Sequence, residues 1–156
     1  MSIKIVERPA TTVVGMSIQT KPQSPEIPAL WPRFVQRIPE IQGQTEGKVA
    51  YGVMRHNEKM DVLEYLAGVA VGSGTRIPPA MTPIDIPAGN YAVFRYPLSG
   101  LGKGFGEIFN RLLPESGYVQ GQGPLFERYD ESFNPADPNS LVEIGIPVRP
   151  KQAKVS

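Results

Sequence analysis

Ile86–Gly100 reads IPAGNYAVFRYPLSG, and this stretch decides the fold. Pro87-Ala88-Gly89-Asn90 is a turn signal, because each of Pro, Gly and Asn favours backbone angles that strands and helices do not use. A half-buried strand follows. Tyr91, Val93 and Arg95 alternate with Ala92, Phe94 and Tyr96, which is the period of two that a pleated strand imposes. Pro97 and Gly100 end it. Phe105, Ile108, Phe109 and Leu112 then recur at i, i+3, i+4 and i+7, one face of a helix, closed by Pro114 and Gly117. Two strands complete the unit, Leu125–Asp130 and Leu141–Val148, with a turn-rich loop over Asn134–Ser140 between them. In the last strand Val142, Ile144, Ile146 and Val148 alternate with Glu143, Gly145 and Pro147, and Pro147 suits an edge or a strand end.

The same order of strand, helix, strand, strand occurs once upstream. Ile3–Glu7 reads as an edge strand stopped by Pro9. Thr11–Gln19 alternates Thr12, Val14, Met16 and Ile18 against Val13, Gly15 and Ser17. After a proline-rich connection, Trp31, Phe34, Val35 and Ile38 form a helical stripe that Pro39 should end; Pro28 or Pro32 fits its first turn. Lys48–Arg55 is a strand, His56-Asn57-Glu58-Lys59 a turn, and Leu63–Val71 the closing strand. Gly72–Pro79 links the units. The repeats run from about 3 to 71 and from about 81 to 148. Val13–Ile18 matches Tyr91–Tyr96, the Trp31 helix the Phe105 helix, Ala50–Met54 Leu125–Tyr129, and Leu66–Val71 Glu143–Val148. Two helices are too few to cover both faces of such a sheet. The expectation is therefore an α+β domain over 1–156: a mainly antiparallel sheet of about eight strands, both helices on one face, and a cleft at the pseudo-twofold. Lys151–Ser156 reads as a frayed tail.

Composition narrows the chemistry. A chain of 156 residues can bury a core as one domain or two fused halves. Its net charge of +1 gives no basic footprint for nucleic acid. There is no cysteine and one histidine, His56, so disulfides, thiol chemistry and a histidine-rich metal centre are not expected. No apolar run approaches the ~20 residues of a membrane span, and the N-terminus has no leader-like core, so a cytoplasmic location is expected. Gly100-Leu101-Gly102-Lys103-Gly104 is glycine-rich, but it lacks the Gly-Lys-Ser/Thr ending of a phosphate loop. No cofactor is expected.

Five segments together resemble a known family: EYLAGV (Glu64–Val69), IPAGNYAVFRYPLSG, LLPESGY (Leu112–Tyr118), PLFERYDESF (Pro124–Phe133) and VEIGIPV (Val142–Val148). Their order and spacing are similar to those of the GyrI-like small-molecule-binding domain, which is also the effector-binding half of AraC-type and MerR-type regulators. The resemblance implies a duplicated strand-helix-strand-strand fold and a ligand cleft lined by aromatics around a buried carboxylate, suited to lipophilic cations. The carboxylate it points to is Glu127. Gly145 stands where relatives often carry a tyrosine, which implies a wider or differently shaped pocket. No helix-turn-helix accompanies the domain, so direct contact with nucleic acid is not expected; a homodimer or a partner protein is.

A carboxylate shut among rings makes physical sense as a cation trap. Alone, it must take a proton or a partner. Ring faces attract a cation without hydrating it, for about 0.5–2 kcal/mol each. The candidate lining is Glu127, Glu143, Trp31, Tyr51, Tyr65, Phe94, Tyr96, Tyr118 and Gly145. If the rows of Glu127 and Glu143 face one way, two carboxylates share the cleft. The resemblance carries two alternatives. One is a hydrolase of cyclopropane-type genotoxic electrophiles, with Glu127 as general base and Trp31 holding substrate. The other is a gyrase-inhibitor-like interaction protein.

Overall fold

The computed structural model describes residues 3–22, 24–57 and 61–151. Its strands are β1 (Lys4–Arg8), β2 (Thr11–Thr20), β3 (Ala50–Asn57), β4 (Val62–Val71), β5 (Thr82–Ile86), β6 (Gly89–Pro97), β7 (Tyr118–Gln120), β8 (Leu125–Tyr129) and β9 (Leu141–Pro150). The helices are α1 (Glu26–Val35) and α2 (Leu101–Glu107). The fold is α+β. Every strand pair is antiparallel, and the sheet runs β1-β6-β9-β8-β3-β4-β2-β5, with β7 added beside β9.

The register carries the repeat residue by residue. Gly15 pairs with Gly68, and Val93 with Gly145. Tyr51 also pairs with Gly68, and Phe126 with Gly145. These are the equivalences read from the sequence. At the seam β3 pairs with β8, and Gly52 lies opposite Glu127. Those two positions are equivalent to each other, so the pseudo-twofold passes between them.

The outer strands are exchanged. β1 precedes β2 but pairs with β6, and β5 precedes β6 but pairs with β2. Residues 9–10 and 87–88 are the only links, and so short a link spans roughly 10 Å. The two ends of the sheet therefore meet at this side, and the sheet curls into a half-barrel. Inside the curl, untouched by either helix, lie Val13, Tyr51, Val53, Leu66, Ala70, Ile84, Ile86, Tyr91 and Phe126.

Both helices cover the other face. One row of paired residues crosses it, Phe94-Ile144-Glu127-Gly52-Ala67-Met16. Its Ala67 half belongs to the cluster under α1 and its Phe94 half to the cluster under α2. Phe105 and Leu125 touch both clusters.

Several boundaries differ from the sequence reading. α1 starts earlier, at Glu26, because Ser24 Oγ accepts the Glu26 N–H at 3.1 Å. Pro28 sits in the first turn, where its missing N–H has no partner to lose. Pro32 lies inside the helix and removes a rung, and the helix stops at Val35. The buried stripe is thus Ile27, Leu30, Trp31 and Phe34, one helical turn earlier than the expected one and sharing Trp31 and Phe34 with it. Val35 is 54% exposed, and Ile38 belongs to a separate turn, Ile38–Glu40. Burying Leu30 and Phe34 in full stabilises the docked helix by about 2–3 kcal/mol each.

The Phe105 stripe continues past α2 through a π-helical turn, Ile108–Leu112, in which the Leu113 N–H donates to the Ile108 carbonyl. Such turns put one extra residue in a helical repeat. β5 and β7 were not separated from their neighbours by pattern alone, being short. His56 and Asn57 end β3 rather than opening a turn; Glu58 and Lys59 lie outside the described residues, as does the tail beyond Lys151. Lys151 itself is tied down, through its N–H to Gly117 and its ammonium to Pro114. No described helix is long and apolar enough to cross a membrane.

Candidate functional site

Glu127 stands in the middle of β8, on the face that carries the helices, and is only 6% exposed. Alternation along β8 puts Leu125 and Tyr129 on the same side. Gly52 opposite has no side chain, and the vacated volume is used. A Cβ there would lie 2.2 Å from the Tyr65 hydroxyl and 2.7 Å from Glu127 Oε1.

Two phenols serve the carboxylate. The Tyr65 hydroxyl donates to Oε1 at 2.8 Å and the Tyr129 hydroxyl donates to the same oxygen at 2.7 Å. The Trp31 indole N–H donates to the Tyr65 oxygen at 3.0 Å, extending the chain to α1. The rings close over the group. Trp31 and Tyr129 meet edge to face with centroids 5.1 Å apart, and Tyr129 meets Phe133 in the same way at 4.8 Å. Edge-to-face contacts of this kind add about 0.5–1.5 kcal/mol beyond burial. Trp31, Tyr129, Phe133, Leu125 and Phe105 each keep partial exposure, so the cluster reaches the surface between the helices.

Burial pushes the Glu127 carboxyl above its ordinary value, opposed by the hydrogen bonds from Tyr129 and Tyr65. The same burial, with the charge of Glu127 beside them, raises both phenols well above theirs, so they stay protonated donors. A consequence for stability follows. The folded state holds the Glu127 proton to higher pH than the unfolded state does, so this group's contribution is full below the ordinary carboxylate range. It falls as pH rises through the raised folded value. Urea unfolding at pH 5 and pH 8 should therefore show a loss toward pH 8 that Glu127→Gln removes; a Gln variant with the same loss would assign it elsewhere.

The expected lining divides between the two faces. Glu127, Tyr65 and Trp31 come together. Glu143 does not join them. It pairs with Arg128, one step out of register from Glu127, so it faces the curl and approaches Arg95 at 3.6 Å. Tyr51 likewise points into the curl. At Gly145 no wider pocket opens, because the Phe126 ring comes within 2.2 Å of where a Cβ would sit. Phe94, Tyr96 and Tyr118 lie on the helix face but in the cluster under α2, where the Tyr96 hydroxyl donates to Glu107 at 3.2 Å. Tyr129 and Phe133 belong to the site and were absent from the expected lining. Tyr129 was legible, since it shares strand parity with Glu127. Phe133 was not, because a loop brings it there.

Two surface hollows lie elsewhere. One of about 240 Å³ is bounded by Lys4, Phe94, Tyr96, Glu107 and Leu112, and one of about 610 Å³ by residues 7–9 and 88–90.

Comparison with known proteins gives three findings. Residues 1–149 match the model of the GyrI-like small molecule binding domain. The transcriptional regulator BrlR of Pseudomonas aeruginosa is 37% identical over 151 residues, which is 95% of this chain and 56% of that protein. Among solved structures, SAV2435 bound to tetraphenylphosphonium superposes with a TM-score of 0.73 at 16% identity, covering 96% of this chain and 94% of that one. The EcmrR C-terminal domain gives 0.68 at 16% identity, covering 96% and 98%. At such identities the structures speak for the fold alone.

Proposed function

The chain belongs to the GyrI-like small molecule binding domain family, and from that premise we propose that it holds a lipophilic cation against Glu127, beneath the rings of Trp31 and Tyr129. One observation carries the reading: a carboxylate 6% exposed, served by two phenols and no cation, under a partly exposed lid of rings. Among the described residues Glu127 has no ion pair, although more exposed acids do. A buried charge without a countercharge is costly, and a guest that supplies one relieves the cost.

The phenols define what fits. They saturate one oxygen with neutral donors, so a strongly hydrated ion would lose more water than it regains. A delocalised cation loses little hydration and gains the ring faces. Trp31 and Tyr129 occupy the approach, so entry requires Trp31 to swing off Tyr129. Relatives fit the reading: SAV2435 has been solved with tetraphenylphosphonium, a lipophilic cation, and BrlR is a transcriptional regulator of which this chain spans about half.

Trp31 is the single tryptophan of the chain and reports on the Glu127 site directly. Adding tetraphenylphosphonium should change its emission saturably, and tetraphenylborate, of equal size and opposite charge, should not. Equal responses to both ions, or none to either up to the solubility limit, would remove the assignment.

A further inference from the structure

The other face of the seam carries a charged group that the cation site does not use. Arg8 ends β1 where the two edges of the curled sheet meet. Its guanidinium lies over the Phe126 ring, 4.5 Å from the centroid, and 5.6 Å from that of Tyr51. It donates to the Tyr51 hydroxyl at 2.9 Å. Tyr51 passes its own proton toward Glu46, whose oxygens lie at 2.9 and 2.8 Å, and Arg128 approaches Glu46 at 3.4 Å. Among the described residues Arg8 forms no ion pair.

The fold itself does not ask for a cation at this position. The residue equivalent to Arg8 in the second unit is Ile86, fully buried in the cluster inside the curl. An aliphatic side chain suffices there. Arg8 instead spends one donor on a phenol and lies over a ring. A guanidinium has five N–H donors in a planar fork matched to carboxylate and phosphate oxygens. Beside it opens the hollow of about 610 Å³, lined by Glu7, Arg8, Pro9, Ala88, Gly89 and Asn90. Glu7 alternates to the opposite sheet face from Arg8. Of the acids on the Arg8 side, Glu46 is held by Tyr51 and Arg128, and Glu143 by Arg95.

We infer that this end of the half-barrel is a second binding site, selective for a small oxyanion, with Arg8 as its recognition group, held in place by the Tyr51 hydroxyl and the Phe126 ring. It takes a planar carboxylate or a phosphate group through two parallel N–H bonds. The site is separate from the one at Glu127, since the sheet lies between them.

The test is an amide chemical-shift titration of the full chain at constant ionic strength, with sodium chloride as reference and inorganic phosphate and benzoate as the two probes. Gly89 and Asn90 should shift saturably, with midpoints of about 1–10 mM. A response to phosphate alone names a phosphate source; a response to benzoate alone or to both names a carboxylate as an accepted guest. Arg8→Ile, which copies the equivalent residue Ile86, should abolish saturation while keeping a dispersed spectrum. Arg8→Lys keeps the charge without the fork and should weaken binding about tenfold. Glu46→Gln, which removes a competing carboxylate, should tighten it. Shifts that stay linear, that chloride reproduces, or that survive in Arg8→Ile at unchanged midpoint would overturn the site.

Discussion

Glu127→Gln loses tetraphenylphosphonium binding by about 100-fold, while its thermal unfolding stays cooperative. The amide is isosteric with the carboxylate, and its oxygen accepts from Tyr65 and Tyr129 as before, so the local hydrogen bonds persist. Only the charge is gone. Removing one partner of a desolvated charge pair costs about 2–5 kcal/mol of affinity, and each 1.4 kcal/mol is tenfold. Calorimetry measures the loss directly. A second signature comes with it. Because burial raises the Glu127 carboxyl, protons compete with the cation. Affinity in the unaltered chain should rise with pH until the raised value is passed and then level off. In Glu127→Gln the profile should be flat. A variant that binds within threefold of the parent would mean that rings alone hold the guest.

Gly52→Ala destabilises the fold by about 2–3 kcal/mol and abolishes cation binding together with it. The added methyl would sit 2.2 Å from the Tyr65 hydroxyl and 2.7 Å from Glu127 Oε1. Tyr65 is fully buried, so its ring has no free direction in which to retreat. Overpacking of this kind costs about 1–3 kcal/mol, and the displaced phenol adds the loss of a hydrogen bond to a charged group, about 1.5–3 kcal/mol. Partial relaxation makes the sum smaller than the parts. Denaturant midpoints with an unchanged m-value would measure it. A Gly52→Ala chain as stable as the parent would mean that Tyr65 is not wedged at the seam. The two substitutions separate the causes: Glu127→Gln removes charge without disturbing packing, and Gly52→Ala does the reverse.

Much of the fold was legible because its signals are local. Strand periodicity placed β2, β4, β6 and β9 within a residue or two, and the repeat was visible because equivalent strands carry equivalent patterns. The stripe of α1 was placed one turn late for a physical reason. Three prolines blur a short apolar stripe; Trp31 and Phe34 were read on it, and tertiary contact with β2 and β4 added Ile27 and Leu30 while leaving Val35 exposed. The candidate site was half legible. Glu127 and Tyr129 share a strand side, and Trp31 lies on a helical stripe. Phe133 reaches the cluster from a loop whose course no periodicity records.

The amino-acid order determined most of the strands and both helices, that one unit is written twice, and that a glutamate and a tyrosine lie on the same side of β8. Only the tertiary structure decided what shares a face with Glu127. Partners in the sheet come from distant parts of the chain, and a one-residue change of register turns every side chain of a strand to the other side. That single step puts Arg128, not Glu127, opposite Glu143. It sends Tyr51 and Glu143 into the curl, fills the space at Gly145 with Phe126, and leaves one carboxylate rather than two beneath Trp31.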